Sequence, residues 1–585
     1  MKVAVKLKIS LIGRILSYTR PYRGLFAGSV VLTVGLAGLS IVRPLLISKA
    51  LNQAVVQEES TSLLNQIALL ILTFLVVEAV LQIINIRITN LLGQNIVKDI
   101  RNEVYRHIIH LKNTYFDNTP VGTLVTRAVS DIESLSDVFA QGFIVIAGDM
   151  IMLLIFIAAM FLNNWLLALL ALSTIPLLFI ATALFKRGVK KTFTLVRNAV
   201  SALNTFTQEH ITGMRLVQLF NREDQEFQKF KLINAEHRSA NIRSILYYSI
   251  FFPVVEILSS ISVALIIWFV GVKGNKYSVN LGDITFFVMM INMLFRPIRM
   301  LADRLNTLQM GIVSAERVFK VLDTDEKISD AGTRHFTQVE KEIEFKKVWF
   351  AYKDEHFVLR DVSFTVKAGA TVALVGATGA GKSSVINLLS RFYEYQKGII
   401  SIDGKDLRSY ELSSLRKNTG VVLQDVFMFN DTVLNNITLN NPSISFTEVE
   451  KATTEIGLYD YILSLPGGFN YQVKERGQSL SAGQRQLIAF IRAYVYQPAI
   501  FILDEATATI DTQTEQLIQR AVEKVSEGRT SIIIAHRLST IRHVDQVLVF
   551  DQGEIIESGT IPELLSQSSR FKTLYELQNK KEIIL

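Results

Sequence analysis

The densest chemistry in the sequence lies in consecutive residues Gly376, Ala377, Thr378, Gly379, Ala380, Gly381, Lys382, Ser383 and Ser384. They follow the pattern GxxxxGK[ST], with a second serine after it. Glycines in such a run let the backbone wrap a phosphate, and its N–H groups converge at the start of the next helix. Lys382 is then expected to reach the β- and γ-phosphates, and the Ser383 hydroxyl to hold Mg²⁺. The context this motif needs is present: an apolar strand over Thr371–Val375 before it and a helix over Ser384–Phe392 after it. A second apolar strand, Ala499–Leu503, ends on Asp504 and Glu505. Sheets of α/β proteins hold ligands at the carboxyl ends of their strands. Asp504 therefore suits the Mg²⁺ shell, and Glu505 is free to polarise an attacking water.

The elements around these residues alternate. From Glu342 onward short β-rich runs exchange with helical ones, which implies an α/β layer domain. Ahead of it a helical stretch runs from Met300 to about Val321, and the polar run Asp323–Gln338 reads as a linker. The expected domains are 1–322, a linker over 323–340, and 341–585.

The first 300 residues are of another kind. The chain has 585 residues, room for more than one domain. Its hydrophobic fraction of 49% is ordinary, yet its mean hydropathy of +0.31 is high, so apolar sequence is concentrated in one part. Six segments are long and apolar enough to cross a bilayer, near 25–47, 63–86, 140–162, 165–185, 245–271 and 281–300. Lys2, Lys6, Lys8, Arg14, Arg20 and Arg23 precede the first. Arg87, Lys98, Arg101, Arg106, Lys112 and Arg127 follow the second, and Lys186, Arg187, Lys190 and Lys191 open a basic stretch after the fourth. The other connections are short. Basic loops stay in the cytoplasm, so both termini are expected there. The first apolar run carries no cleavage pattern and reads as a retained helix, not a signal peptide.

Both basic connections are far longer than an ordinary loop. Gln94–Lys112 and Val196–Ala240 have helical composition without proline, so the spans are expected to continue as cytoplasmic helices and turn near Asn118–Gly122 and around Gly213. Glu78, Asp149 and Glu256 fall inside spans, where a charge contacts either a cargo or cation, or a packing partner. The formal net charge of +8 is accounted for by topology, so no nucleic-acid partner is called for. The absence of cysteine excludes disulfides, thiolate catalysis and thiolate zinc sites.

Leu480-Ser481-Ala482-Gly483-Gln484, between the phosphate loop and Asp504, resembles the signature of ATP-binding-cassette proteins. With the six spans ahead of it, the whole chain is similar to a cassette exporter half-transporter. The fold implied is an all-α six-helix transmembrane domain with long cytoplasmic extensions, followed by an α/β P-loop cassette ATPase domain. The resemblance implies ATP and Mg²⁺ as cofactors. It places Tyr352 on the adenine, Gln424 on Mg²⁺ and at the link to the membrane domain, Asp511 against an opposing subunit, and His536 on the γ-phosphate. Glu475-Arg476-Gly477 looks like an exporter-type loop near the coupling region. The turns near Asn118–Gly122 and His210–Gly213 look like coupling helices. Ala482 departs from the family's usual glycine, which would strain the backbone if φ were positive there.

In this family the signature of one ATPase domain, here Ser481, Gly483 and Gln484, completes the phosphate site of another. The implied partner is a second half-transporter, a second copy of this chain being favoured and a related chain remaining an alternative. The implied activity is ATP-driven export or flipping of a small amphipathic cargo (drug, lipid or peptide) across a bilayer, in a bacterial inner membrane. An importer built on the exporter fold is the other reading. A soluble cassette ATPase would lack the spans, and a cassette-gated channel would usually have lost the acid at Glu505.

Overall fold

The computed structural model describes residues 11–53, 61–273, 279–328, 330–504, 512–535, 541–567 and 569–576. The chain forms two compact units, Met1–Ile109 with Pro120–Asp325, and His110–Thr119 with Glu326–Leu585.

The first unit is helical. Its principal helices are α1 (Arg23–Leu39), α2 (Val42–Leu51), α3 (Thr61–Ile108), α4 (Ile144–Asn163), α5 (Trp165–Leu172), α6 (Ile175–Thr212), α7 (Glu223–Lys273) and α8 (Leu281–Leu322). Six stretches are long and apolar enough to span a membrane: Arg20–Leu51, Asn65–Ile108, Ile144–Asn163, Trp165–Thr212, Glu223–Lys273 and Leu281–Met300.

Prolines set two interruptions. Pro44 has no N–H, and its ring opposes the carbonyl of residue 40, so α1 stops at Leu39 and α2 starts at Val42. Pro176 does the same to Leu172, separating α5 from α6. Asn164 turns the chain between α4 and α5, its side chain accepting from the N–H groups of Leu166 (3.1 Å) and Leu167 (3.2 Å). The third span starts at Ile144, later than the expected 140, because a π turn occupies Val138–Phe143. Two extensions run far past their apolar windows, α3 to Ile108 and α6 to Thr212, where Gly213 ends it. The short helix Met214–Leu219 follows that turn. The other short helix, Asn113–Asn118, lies just before the turn expected at Asn118–Gly122.

Two of the three acids within spans are paired. Asp149 forms an ion pair with Arg304, and Glu256 meets Arg299 at 3.2 Å. Both contacts are of the packing kind. Glu78 is partly exposed.

The second unit holds two sheets. The strands are β1 (Glu342–Ala351), β2 (Phe357–Lys367), β3 (Thr371–Gly376), β4 (Lys397–Ile402), β5 (Lys405–Asp406), β6 (Thr419–Val422), β7 (Ile500–Asp504), β8 (Thr530–Ile534), β9 (Gln546–Asp551) and β10 (Glu554–Gly559). An antiparallel sheet has the order β2-β1-β4-β5, and a six-stranded sheet the order β10-β9-β3-β8-β7-β6. The second is parallel from β9 to β6. Every residue of β7 and β8 is buried, as expected of parallel strands covered on both faces. Residues 110–119 belong to this unit: Lys112 N–H donates to the Glu326 carbonyl at 2.8 Å, and the Tyr393 hydroxyl donates to Asp117.

Candidate nucleotide site

The parallel pairing decides what meets at the site. Leu374 of β3 is level with Ile534 of β8, and Ile534 with Asp504 of β7. Val422 of β6 is level with Leu503. The phosphate loop, Asp504, Ala535 and the segment leading to Gln424 therefore leave one edge of one sheet, the carboxyl ends of its strands.

The loop from Gly376 to Gly381 leads into the helix α9 (Lys382–Leu389). Two of its glycines are irreplaceable on geometry. Gly376 has φ +153°, and a Cβ there would lie 2.2 Å from the Phe550 carbonyl oxygen. Gly381, the N-cap of α9, has φ +100°, and a Cβ would lie 2.8 Å from Leu359. Ala377, Thr378, Gly379 and Ala380 complete the curve between them. Lys382 folds back over it, its Nζ donating to the carbonyls of Gly376 (2.7 Å) and Ala377 (2.8 Å). Burial holds this ammonium below the usual lysine range, and the carboxylate of Asp504 pulls it back up. Asp504 is itself only 8% exposed, so a cation and an anion share a poorly hydrated pocket beside the loop.

The two serines diverge. Ser383 is exposed, whereas Ser384 is buried and its Oγ lies 3.1 Å from the Tyr352 hydroxyl. Asn387 Nδ2 donates to the same hydroxyl at 2.9 Å. The rings of Phe350 and Tyr393 meet Tyr352 edge-on at 4.7 and 4.9 Å. Tyr352 as a whole remains 39% exposed. Sequence reasoning found Tyr352 and missed Asn387 and Tyr393. Asn387 carried a weak signal, one turn after Ser384 on the same helix; Tyr393 carried none.

Ser481 caps the helix α10 (Ala482–Val495). Its Oγ accepts from Gln484 N–H at 3.2 Å, and Gln484 Oε1 accepts from Ser481 N–H at 2.9 Å, a reciprocal capping box. Gly483 is buried in the first turn. Ala482 occupies the first helical position and is not among the residues with positive φ, so the strain expected of alanine there does not arise. Ala482 and Gln424 line one cleft of about 400 Å³ with Asp425, Arg476, Gln478 and Arg485. Among the described residues no hydrogen bond or ion pair joins Ser481–Gln484 to the loop Gly376–Ser384. Glu505, Asp511 and His536 lie outside the described residues.

A phosphate loop on a parallel sheet, following six apolar spans in one chain, defines a membrane-spanning P-loop ATPase. Comparison with known proteins places it more finely. Residues 26–298 match the ABC transporter transmembrane region and residues 359–508 the ABC transporter family. A probable multidrug resistance ABC transporter ATP-binding/permease protein of Bacillus subtilis, YheH, is 36% identical over 83% of this chain and 72% of its own length. An ATP-dependent lipid A-core flippase of Syntrophus aciditrophicus is 33% identical over 98% of this chain and 96% of its own. The structure of a bacterial Atm1-family ABC exporter with ATP bound superposes with a TM-score of 0.79 at 25% identity, covering 95% of this chain and 99% of the other. The chain belongs to the ABC transporter family, as a half-transporter with the exporter fold. It is an ATP-hydrolysing membrane transporter that works as a dimer.

Proposed function

We propose that the protein exports or flips an amphipathic molecule, a drug, lipid or peptide, by alternating access driven by ATP at two composite sites. The observation that carries this reading is that, among the described residues, no hydrogen bond or ion pair joins the signature turn at Ser481 to the phosphate loop of the same chain. Each has hydrogen-bond donors to offer a nucleotide, and only a second chain brings one set to the other. The names of the relatives, a multidrug protein and a lipid flippase, support an amphipathic cargo.

In this reading the residues divide the work. Tyr352 carries the adenine by stacking. The loop amides and Lys382 hold the phosphates. Ser383, Gln424 and Asp504 supply a hydroxyl, an amide and one carboxylate, the hard oxygen set that suits Mg²⁺ together with nucleotide oxygens and water. Mg²⁺ there would neutralise charge on the phosphates. Glu505 orients the attacking water, and His536 contacts the γ-phosphate. The nucleotide, gripped by Ser481, Gly483 and Gln484 of the other subunit, binds the closed pair better than the open one, and that difference drives the membrane cavity from inward to outward facing. Two copies of this chain suffice, because it carries both the acid and the signature. The protein resides in the inner membrane with both termini in the cytoplasm, in a domain plan of 1–322, 323–340 and 341–585.

Sealed inverted vesicles test the function. ATP is expected to drive a fluorescent amphiphile into the lumen, and vesicles carrying Lys382→Ala are expected not to accumulate it. ATP-dependent efflux from preloaded vesicles would instead establish import. A peptide tag inserted between Gln57 and Ser60 is expected to be labelled from outside intact cells; labelling only after lysis would reverse the topology.

A further inference from the structure

The interruption of the first span sits at an unusual place. Asn52, at the far end of α2, accepts a hydrogen bond from Gly282 N–H at 2.8 Å, where α8 begins. Arg43 lies nine residues back along the chain, about 13 Å at the rise of a helix. It therefore lies inside the first span, four residues from that span's expected end at 47. A guanidinium inside a span calls for an anion or a water-filled cavity.

Arg43 Nε is buried without a hydrogen-bond partner. Among the described residues no carboxylate lies within ion-pair distance of Arg43, although Asp149 and Glu256 each have an arginine. Glu78, brought to a similar depth on α3 by the hydrogen bond between Thr33 and Asn85 (3.2 Å), makes no ion pair with it. Arg43 also occupies the first turn of α2 (Val42–Leu51), the positive end of that helix. Among the described residues Arg296 of α8 also makes no ion pair, but it is exposed and five residues further inward relative to Gly282 than Arg43 is to Asn52.

We propose that Arg43 recognises the cargo and that the cargo is an amphiphile with an anionic head group. The planar guanidinium offers paired donors to a phosphate or carboxylate, and the start of α2 adds its field. Part of the side chain is exposed, so the head group has access. This rests on the transport reading above and narrows its cargo class.

The test uses the full chain in phosphatidylcholine vesicles, with three fluorescent amphiphiles of identical tails carrying phosphate, phosphocholine or trimethylammonium heads. ATP-dependent movement between leaflets and stimulated ATPase are both read. The wild type is expected to reach half-maximal stimulation at a concentration about tenfold lower with the phosphate head, the scale of one hydrogen bond to a charged group. Arg43→Gln is expected to abolish that preference, bringing the half-maximal concentration for the phosphate head to that of the trimethylammonium head, and Arg43→Lys to restore part of it. Glu78→Gln is expected to leave the preference in place. An Arg43→Gln protein that still prefers the phosphate head overturns the proposal, as does a wild type that treats the three heads alike. Loss of basal ATPase or of the dimer in both Arg43 variants also overturns it, assigning the arginine to assembly. A tightly bound anionic lipid, in place of a cargo, would show as stimulation without leaflet exchange and count against it. Wild-type vesicles that hydrolyse no ATP would sink the transport reading itself.

Discussion

The nucleotide site and the membrane core handle buried charge in opposite ways. At the site Lys382 is 5% exposed, yet its ammonium has two carbonyl acceptors and the field of Asp504. Its geometry is set by backbone that the glycines at 376 and 381 allow to curl. In the membrane unit charges are held across helices: Asp149 by Arg304, Glu256 by Arg299, and Arg43 by nothing among the described residues. A site that binds the same phosphate chain in every cycle gains from having its charges preset. A site that must release its cargo on the other side gains from leaving a charge to be satisfied by that cargo.

Substitutions that exchange these two behaviours probe the contrast, and the largest effect is expected at Glu505. Glu505→Gln keeps size but removes the charge that orients water, and hydrolysis is expected to fall by about two to four orders of magnitude. ATP binding is expected to persist, since the loop amides and Lys382 are untouched, and distance measurements between spin labels on the two ATPase domains should report closure. Turnover near the parent rate would remove Glu505 from the mechanism.

Next in size is the membrane pair. Asp149→Ala leaves Arg304 without its partner, at a cost of about 3–5 kcal/mol. The thermal midpoint in lipid nanodiscs should drop, and a paired Asp149→Ala/Arg304→Leu variant should recover much of the loss. Equal losses in the single and the double variant would show that the two charges do not act together.

Tyr352→Ala is smaller. Loss of stacking is expected to weaken ATP binding by about 1–3 kcal/mol, roughly 5- to 150-fold in Kd, and to narrow the difference between ATP and GTP. An unaltered Kd would detach Tyr352 from the base. The least effect is expected at Ala482. Because this position is helical, Ala482→Gly should leave ATPase activity as it is and cost about 0.5–1 kcal/mol of stability. A gain of activity would mean that the signature needs a backbone conformation not seen here.

Much of the site was legible in the chain because its chemistry is local. The phosphate loop needs glycines, a lysine and a hydroxyl within nine residues, and Asp504 needs only an apolar strand before it. The support of Tyr352 was not legible. Ser384 and Asn387 lie more than thirty residues away, and only packing of β1 against α9 joins their polar atoms to its hydroxyl. The capping role of Ser481 was hidden behind its resemblance to a phosphate-binding signature, and with it the helical backbone that alanine adopts at 482.

By itself the sequence determined the six apolar stretches, the α/β class and the glycine-rich loop between a strand and a helix, since hydropathy and loop motifs are sums over neighbours in the chain. Tertiary structure decided which charges are paired. Asp149 and Arg304 are 155 positions apart, as is clear from their numbers alone, and no pattern of neighbours announces their contact. The same holds for the solitude of Arg43: whether a cation has a partner depends on every helix packed around it, and that is settled only when the chain has folded.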